Sequence, residues 1–393
     1  MHGKVYNLKT KRFNILKFGM AALLLAAFAA GLFALNKPVK GEAATAASKL
    51  IFVRAHVTGI KNDNAAPDTW TEGLRLGSQE IYVALDSGKY KGVELPAVNY
   101  MSAYANIDVK VGTKLIVRLD YDEQANPYVA SISSYNRGLA LTGLALVFAA
   151  LLVALGRRKG VAALVSLIFT IICIWFLLIP MVRKGVPAIA ASVLLVIVTT
   201  VVSMLLLNGF SSKTLCATAG CIGGVAIAGL AAGLVGLLTP INGFNMAEAE
   251  DLVLRVGDNS LKISGLLVSG ILIAALGAVM DISMSITSAV YELHEMNPRT
   301  DRKKLFISGL NIGRDTMGTM ANTLILAFAG AALNMLILFR VFDYPYIQIF
   351  NSDMMAIEII QGLAGSIGIV LTVPLVAALG AAICGKATGS RRA

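Results

Sequence analysis

The segment VAALVSLIFTIICIWFLLIPMV, residues 161–182, decides the fold class of this protein. It carries no charged side chain, and about 20 apolar residues are enough for a helix to cross the hydrocarbon core of a membrane. Backbone groups find no water inside that core, so an apolar segment of this length must satisfy its hydrogen bonds within itself. A membrane-spanning helix is therefore the expectation for these residues.

Seven further segments share this character, and a single Glu358 interrupts one of them. The sequence therefore predicts an all-α polytopic membrane bundle of about eight transmembrane helices. Composition supports this: 56% of the 393 residues are hydrophobic and only 15% are charged, whereas soluble domains carry about a quarter charged residues. The seven segments are residues 18–35, 139–155, 186–209, 214–247, 263–280, 316–339 and 354–384. The long segment 214–247 is predicted to be one helix followed by an exit loop that begins near Pro240.

The cysteines and the net charge indicate which partners to expect. All four cysteines lie inside predicted spans and none has CxxC spacing, so we predict no disulfide, no zinc site and no cofactor. The net charge of +11 comes largely from basic residues that flank the spans. Such residues orient helices in a membrane, so the expected partner is the lipid bilayer and not nucleic acid. The cysteines are Cys173, Cys216, Cys221 and Cys384.

Basic residues also predict the topology, because positively charged loops stay on the cytoplasmic side. Five lysines and arginines precede the first span, at positions 4, 9, 11, 12 and 17. With eight spans, the basic residues of 157–159, 299–304 and 386–392 fall on the same side. Both termini are therefore predicted to be cytoplasmic. Arg183 and Lys184 are exceptions, since they would lie outside.

The first span allows two interpretations. Ala44-Thr45-Ala46 has the small-residue pattern of a signal-peptide cleavage site. The apolar run is 18 residues long, however, whereas a signal core has about 7–15. The cleavage site also lies 11 residues beyond the end of the run. We favour an uncleaved anchor.

Residues 37–136 have the composition of a soluble domain. Short β-rich segments near residues 50–57, 79–85, 114–119 and 128–132 are separated by turn-forming sequences. This pattern predicts one small extracytoplasmic β-domain, either a sandwich or a barrel, with an OB-like barrel among the alternatives. The predicted organisation is a cytoplasmic N-terminus and anchor (1–36), the β-domain (37–136), a seven-helix bundle (137–385) and a basic cytoplasmic tail (386–393).

Polar residues within the last three spans are the candidate site, because ionisable groups are costly in a membrane. On the sixth span, a spacing of 4, 3 and 4 residues places Asp281, Ser285, Ser288 and Glu292 on one helix face. The seventh and eighth spans repeat this pattern, so the three polar faces are predicted to line a common interior. The seventh contributes Asn311, Arg314, Asp315, Gly318 and Asn322, and the eighth contributes Glu358 and Gln361.

Two interpretations of these residues remain open. Asp281 is expected near the cytoplasmic end of the sixth span, and Arg314 and Asp315 near the cytoplasmic start of the seventh. An ion pair between Asp281 and Arg314 is therefore predicted. It either joins two helices as a structural contact or belongs to a path for an ion, a proton or a polar solute. Glu358 and Gln361 are expected at the opposite end, as a separate outer cluster.

The sequence lacks the motifs of the enzymes that would suit such a membrane protein. Gly313-Arg314-Asp315 differs from the GxGD of presenilin-like proteases, and His294-Glu295 is not part of an HExxH metal motif. No glycine-rich loop with Lys-Ser or Lys-Thr is present to hold a phosphate. We therefore predict that the protein is not an enzyme and has no catalytic residue and no metal ligand.

Two motifs resemble those of one family of membrane proteins. The first is GAVMD at residues 277–281, with Ser283 to Ser285 and Asn297-Pro298 after it. The second is SGLNIGRD at 308–315, followed by MGTM at 317–320 and NTLI at 322–325. Both are similar to the YibE/F-like membrane proteins of Gram-positive bacteria, and LGSQE at 76–80 extends the resemblance into the β-domain. Ser283 and Phe328 depart from the pattern but remove no ionisable group. The resemblance implies a multi-pass protein of the bacterial cytoplasmic (plasma) membrane and leaves its activity open.

Two hypotheses for the function follow. In the first, the protein is a permease for an ion or a small polar solute, with Asp281, Arg314 and Asp315 at an inner site and Glu358 and Gln361 at an outer one. In the second, it is a non-transporting scaffold whose residues 37–136 bind an envelope protein. Water distinguishes the two, because a permease needs a wet cavity along the polar faces and a scaffold should be packed dry. A homo-oligomer is compatible with either hypothesis.

Overall fold

The structure is a computed structural model that describes residues 28–37, 51–121, 127–241, 243–246, 249, 252 and 262–389. Contacts between residues divide the chain into two compact units, with boundaries at residues 37/38 and 151/152. One unit is built on a β-sheet and the other on helices.

The described strands of the first unit are β1 (Ile51–Asp63), β2 (Ala66–Pro67), β3 (Arg75–Leu85), β4 (Glu94–Met101), β5 (Lys114–Tyr121) and β6 (Pro127–Tyr135). All pairings are antiparallel. The central strand β1 pairs with β3 on one side and β5 on the other, β4 extends the sheet beyond β3, and β6 extends it beyond β5. Because β4 and β6 also lie beside each other, the sheet curls back on itself.

The interior of the curled sheet contains alternate side chains of each strand, as the two-residue period of a strand requires. In β4, Leu95 and Ala97 are buried while Glu94 and Pro96 are exposed. The sequence-based expectation lacked β4, and Pro96 within it is unusual for a strand. Pro96 is tolerated here because β4 lies at the edge of the hydrogen-bonded ladder, next to β3.

A polar network is buried among these apolar side chains. Gln79 is fully buried, donates a hydrogen bond to Asp63 (3.1 Å) and accepts one from Asn99 (3.0 Å). Arg75 forms ion pairs with Asp63 (2.9 Å) and Asp108 (2.6 Å). The hydrogen bonds from Gln79 and Arg75 lower the pKa of Asp63 below its ordinary value of 3.8. The network thus ties β1, β3 and β4 to the segment that precedes β5.

The described helices are α1 (residues 28–35), α2 (Gly138–Cys173), α3 (Ile179–Arg183), α4 (Ala188–Asn208), α5 (Ser212–Leu238), α6 (Leu266–Met296), α7 (Arg302–Ala331), α8 (Leu333–Val341), α9 (Tyr346–Asn351) and α10 (Asp353–Gly389). A π-helical turn, Ile174–Leu178, joins α2 to α3. Five helical segments among the described residues are long and apolar enough to cross a membrane. A sixth is added if α7 and α8, bent by 56°, form one span.

The prediction of about eight spans is therefore not confirmed. Two predicted spans fall within one helical segment of 46 residues, Gly138–Arg183. Arg157 interrupts this segment with a φ of 48°, and a Cβ on Gly160 would overlap the carbonyl oxygen of Leu152. In a straight helix two such residues would be about 12 Å apart, so the chain turns sharply between them. Most of the first predicted span, residues 18–27, lies outside the described residues.

Three helices have bounds that differ from those of the apolar runs. The fifth run was predicted to be one helix with an exit loop beginning near Pro240, and α5 ends at Leu238. The sixth run ends at residue 280, but the polar spacing placed Glu292 on the same helix, and α6 continues to Met296. The seventh run begins at residue 316, but the polar spacing placed Asn311 on the same helix, and α7 begins at Arg302. Backbone hydrogen bonds keep the polar extensions of α6 and α7 helical even where the apolar run has ended.

The helices α5, α6, α7 and α10 pack closely through small residues. The facing residues show that α5 and α7 run antiparallel to α10, whereas α6 runs parallel to it. Small side chains let helix backbones approach closely, which is the main source of helix association in a membrane. The facing pairs on α10 are Gly220–Val376, Gly224–Thr372 and Ala228–Gly368 from α5, Ala275–Gly365 and Val290–Gly380 from α6, and Gly309–Ala377 and Gly313–Val373 from α7.

Candidate functional site

The polar face of α6 is exposed along the middle of the helix. Asp281 is the sixteenth of its 31 residues, and it is exposed together with Ser285 and Glu292, while Ser288 is half-buried. The opposite face, which includes Ile286, is buried in the core of the bundle. The spacing therefore predicted correctly that these polar side chains share a face. That face points away from the core, so the expected common interior is not formed within the described residues.

The polar face of α7 is exposed in the same way. Arg314 and Asp315 are the thirteenth and fourteenth of its 30 residues, so they lie near the middle of the helix and not at its cytoplasmic start. Arg314 donates a hydrogen bond to Oδ1 of Asn311 at 3.3 Å. The predicted Asp281–Arg314 ion pair is not formed among the described residues, because α6 and α7 meet through other faces, at Ile286 and Gly313.

Glu358 and Gln361, the predicted outer cluster, lie toward the N-terminal end of α6. A Cβ on Gly270 would lie 3.8 Å from Nε2 of Gln361, so the amide of Gln361 reaches the polar face of α6. Gly270 and Asp281 share that face and are about 16 Å apart along the helix. One carboxylate oxygen of Glu358, a turn before Gln361, is buried and has no hydrogen-bond partner among the described residues. The outer cluster and Asp281 are thus separated by about three helical turns.

Polar groups on the buried side of α6 were missed by the sequence analysis. The hydroxyls of Ser283 and Tyr291 are buried without a hydrogen-bond partner in the described part of the chain. Between them, Oγ1 of Thr287 lies 4.0 Å from Sγ of Cys216. These three residues follow one another at a spacing of four, which is the signal that would have revealed a second polar line on this helix.

The chemistry of the exposed face is that of a binding surface for cations or hydrogen-bond donors. It offers the carboxylate of Asp281, the hydroxyls of Ser285 and Ser288 and the amide of Gln361. No group of three or more His, Cys, Asp or Glu side chains in the described residues lies close enough together to hold a metal ion.

Five apolar helical segments of spanning length among the described residues indicate a membrane protein. The model of the YibE/F-like protein family matches residues 144–386, and the chain belongs to this family. The match includes every candidate site residue and begins after the strands of the β-rich unit. A comparison with curated proteins and one with solved structures gave no match.

Proposed function

We propose that the protein is a permease of the bacterial cytoplasmic membrane that moves an ion or a small polar solute along the polar face of α6. The observation that supports this most directly is the exposed carboxylate of Asp281 on a helix that is long and apolar enough to cross a membrane. A carboxylate on such a helix is costly against lipid, and residues of this kind face a water-filled cavity or a protein partner. The described residues form no hydrogen bond or ion pair with Asp281.

The order of the polar groups suggests a path. A solute from outside meets Glu358 and Gln361 first and then follows Gly270 and Gly277 to Asp281. Both glycines are on the same face of the helix, and no described atom lies within 4 Å of a Cβ built on Gly277. Two carboxylates favour a cation, or a solute that donates hydrogen bonds, over an anion. Arg314 and Asp315 belong to α7 and lie outside this path.

The helix directions support the predicted topology. With both termini in the cytoplasm and residues 37–136 outside, α5 and α7 run outward while α6 and α10 run inward. The observed directions agree with this alternation, since α6 and α10 are parallel and α5 and α7 are antiparallel to them. We also infer that the curled sheet is an OB-like barrel, because β1, β3, β4, β6 and β5 follow one another around a closed Greek-key arrangement.

The topology predicts which positions a membrane-impermeant thiol reagent reaches in intact cells. Ala105→Cys, on an exposed loop of the β-rich unit, should be labelled without permeabilisation. Lys303→Cys, at the exposed start of α7, should be labelled only after the cells are permeabilised. Background labelling should be low, since the four native cysteines are at most 3% exposed. Labelling of position 303 but not 105 in intact cells would contradict the proposed orientation.

A permease requires that water reaches the polar face of α6, and this is testable without knowing the substrate. Ser285→Cys should react with a charged maleimide in purified membranes, because a thiol reacts as the thiolate and the thiolate forms in water. Ser283→Cys is the matched control. It lies two residues away on the same helix but is fully buried, so it should stay unreactive.

A second control distinguishes a side chain that is exposed to water from one that is exposed to lipid. Leu230 on α5 is 67% exposed on an apolar helix face, so Leu230→Cys should face lipid and react slowly. If Ser285→Cys reacts no faster than Leu230→Cys, the face is dry and the permease proposal is wrong.

A scaffold is the second candidate, favoured by exposed aromatic side chains on the β-rich unit. Trp70 and Tyr104 are 93% and 103% exposed, and Tyr100 projects from the outer side of β4. Exposed aromatic residues are enriched where proteins bind partners. A dry polar face on α6, together with capture of an envelope protein that depends on Trp70 and Tyr104, would favour this candidate.

A further inference from the structure

The polar face of α7 is opposite the face that packs on the bundle. At 3.6 residues per turn, Gly309 and Gly313 lie about 160° from Asn311 around the helix, and both contact α10. Asn311, Arg314, Asp315, Gly318 and Asn322 are all exposed. We call these five residues the α7 polar face.

This face is incompatible with lipid. It holds two charged side chains on a helix that, together with α8, is long and apolar enough for a membrane span, and they are the thirteenth and fourteenth of the 40 residues from 302 to 341. The one hydrogen bond that Arg314 makes to a described residue is the 3.3 Å contact with Asn311 on the same helix. Charged groups within a membrane are found against protein or water, and not against acyl chains.

Gly318 is an independent indication that another helix approaches here. No described atom lies within 4 Å of a Cβ built on Gly318, so packing within the chain does not require a glycine at this position. A glycine inside a helix is about 1 kcal/mol less favourable than alanine. In membrane proteins, small residues on a helix surface mark places where two helices come close together.

The occupant that fits this face is a second copy of the same chain. The described part of the N-terminal helix α1 does not cover this face, because it lies elsewhere in the bundle. Phe28 of α1 packs on Phe169 of α2 (ring centroids 5.6 Å apart), and Asn36, just after α1, donates to the carbonyl of Phe176 in the π-helical turn (2.9 Å). The α7 polar face carries one positive and one negative charge side by side. A surface that carries both charges can be complementary to itself, which a two-fold interface requires.

The geometry of a two-fold pair specifies the contacts. Two copies in one membrane have the same orientation, so the axis runs along the membrane normal and the two α7 helices are parallel. We call the line along which the two α7 helices touch the seam, and we place it at Asn311. Gly318 and Asn322 lie within about 20° of this line around the helix, while Arg314 and Asp315 flank it at about 60° and 40° on opposite sides. Each Arg314 therefore faces Asp315 of the partner subunit.

We propose that the protein is a homodimer in which α7 pairs with its partner's α7 along Asn311, Gly318 and Asn322, closed by two reciprocal Arg314–Asp315 ion pairs. The asparagines meet across the seam and satisfy each other's amides, and Gly318 sets the close approach. This inference goes beyond the permease proposal, because it holds whether or not the protein transports a solute.

Disulfide cross-linking in native membranes tests the interface. Gly318→Cys should form a cross-linked dimer on mild oxidation, since both copies place this position at the seam. Thr323→Cys is the matched control, because it is exposed on the same helix but lies about 140° away around it. The native cysteines are buried and should contribute little.

Charge reversal tests the ion pairs in the Gly318→Cys background. Arg314→Asp and Asp315→Arg each place like charges opposite each other, and each should lower the cross-linked fraction by roughly tenfold. The double reversal restores opposite charges across the seam and should recover most of the dimer. Elution of every variant as a folded particle from a sizing column guards against misfolding.

Three outcomes would overturn the inference. The first is a cross-link at position 318 no stronger than at 323. The second is a folded double reversal that dimerises as poorly as the single variants. The third is a cysteine at position 318 that is not cross-linked. If this cysteine reacts readily with a charged maleimide, the face lines water; if it stays unreactive, the same chain covers the face.

Discussion

Gly224→Ala should destabilise the helical unit by about 1–3 kcal/mol, the range observed when a methyl group is forced into a close-packed core. A Cβ at this position would overlap Oγ1 of Thr372 on α10 and lie 2.8 Å from Cγ1 of Val279 on α6. Thr372 has no room to turn away, since it is fully buried and donates to the carbonyl of Gly368 at 2.6 Å. Thermal unfolding of the purified protein in detergent would measure the loss.

Gly233→Ala is the matched control for this variant. It makes the same change on the same helix, but no atom of the described residues lies within 4 Å of a Cβ at position 233. Alanine is the better helix former, so this variant should unfold at the same temperature or slightly above the parent. Equal destabilisation of both variants would show that the effect arises in the helix itself and not in its contact with α6 and α10.

Gln79→Leu should cause the largest loss of stability in the β-rich unit. Besides its bonds to Asp63 and Asn99, Gln79 accepts from the backbone N–H of Val109 and donates to its carbonyl, both at 3.3 Å. A leucine satisfies none of these groups, and each buried group left unpaired costs about 1–3 kcal/mol. We expect a total loss of about 2–5 kcal/mol, which is a large part of the stability of a small domain.

Hydrogen exchange of the full-length protein would measure this effect within the intact chain. Amides of β1, β3 and β4 should exchange much faster in Gln79→Leu than in the parent. Asn62→Leu serves as the control, because it removes an amide from the same pair of strands but loses one exposed hydrogen bond, to Glu80 at 3.1 Å. Unchanged protection in Gln79→Leu would mean that the network does not hold the strands together.

The apolar pattern predicted where helices occur better than where they end. Charge-free runs identified the cores of α4, α5, α6 and α10, because lipid selects for apolar side chains. The apolar runs stop short of the ends of α6 and α7, because a helix continues through polar sequence as long as its backbone bonds are satisfied. The spacing of the polar residues, and not the apolar pattern, placed Glu292 on α6 and Asn311 on α7. The basic residues 157–159 separated two apolar runs, and the structure places its sharp turn there, at Arg157.

The candidate site shows the same division between local and tertiary information. A period of 3.6 residues was enough to place Asp281 and Ser285 on one face of α6, and Arg314 on the polar face of α7. The direction in which each face points depends on which side packs more closely. Gly309 and Gly313 settle this for α7, since only glycine allows α10 to approach there. Small residues occur on several faces of these helices, and the sequence alone does not identify the face against which a neighbouring helix packs.

The bend between α7 and α8 has a consequence for the fit of the protein to its bilayer. The nine residues of α8 measure about 13.5 Å, and at 56° they add only about 7.5 Å along the axis of α7. Straightening at Ala332 would lengthen this span by about 6 Å without tilting the glycine-packed helices beside it. Membranes of one cell differ in thickness by a few ångströms, and mismatch carries an energetic cost for each of them. Counted as one span, α7 and α8 therefore match a bilayer about 6 Å thinner than a straight helix of the same residues would match.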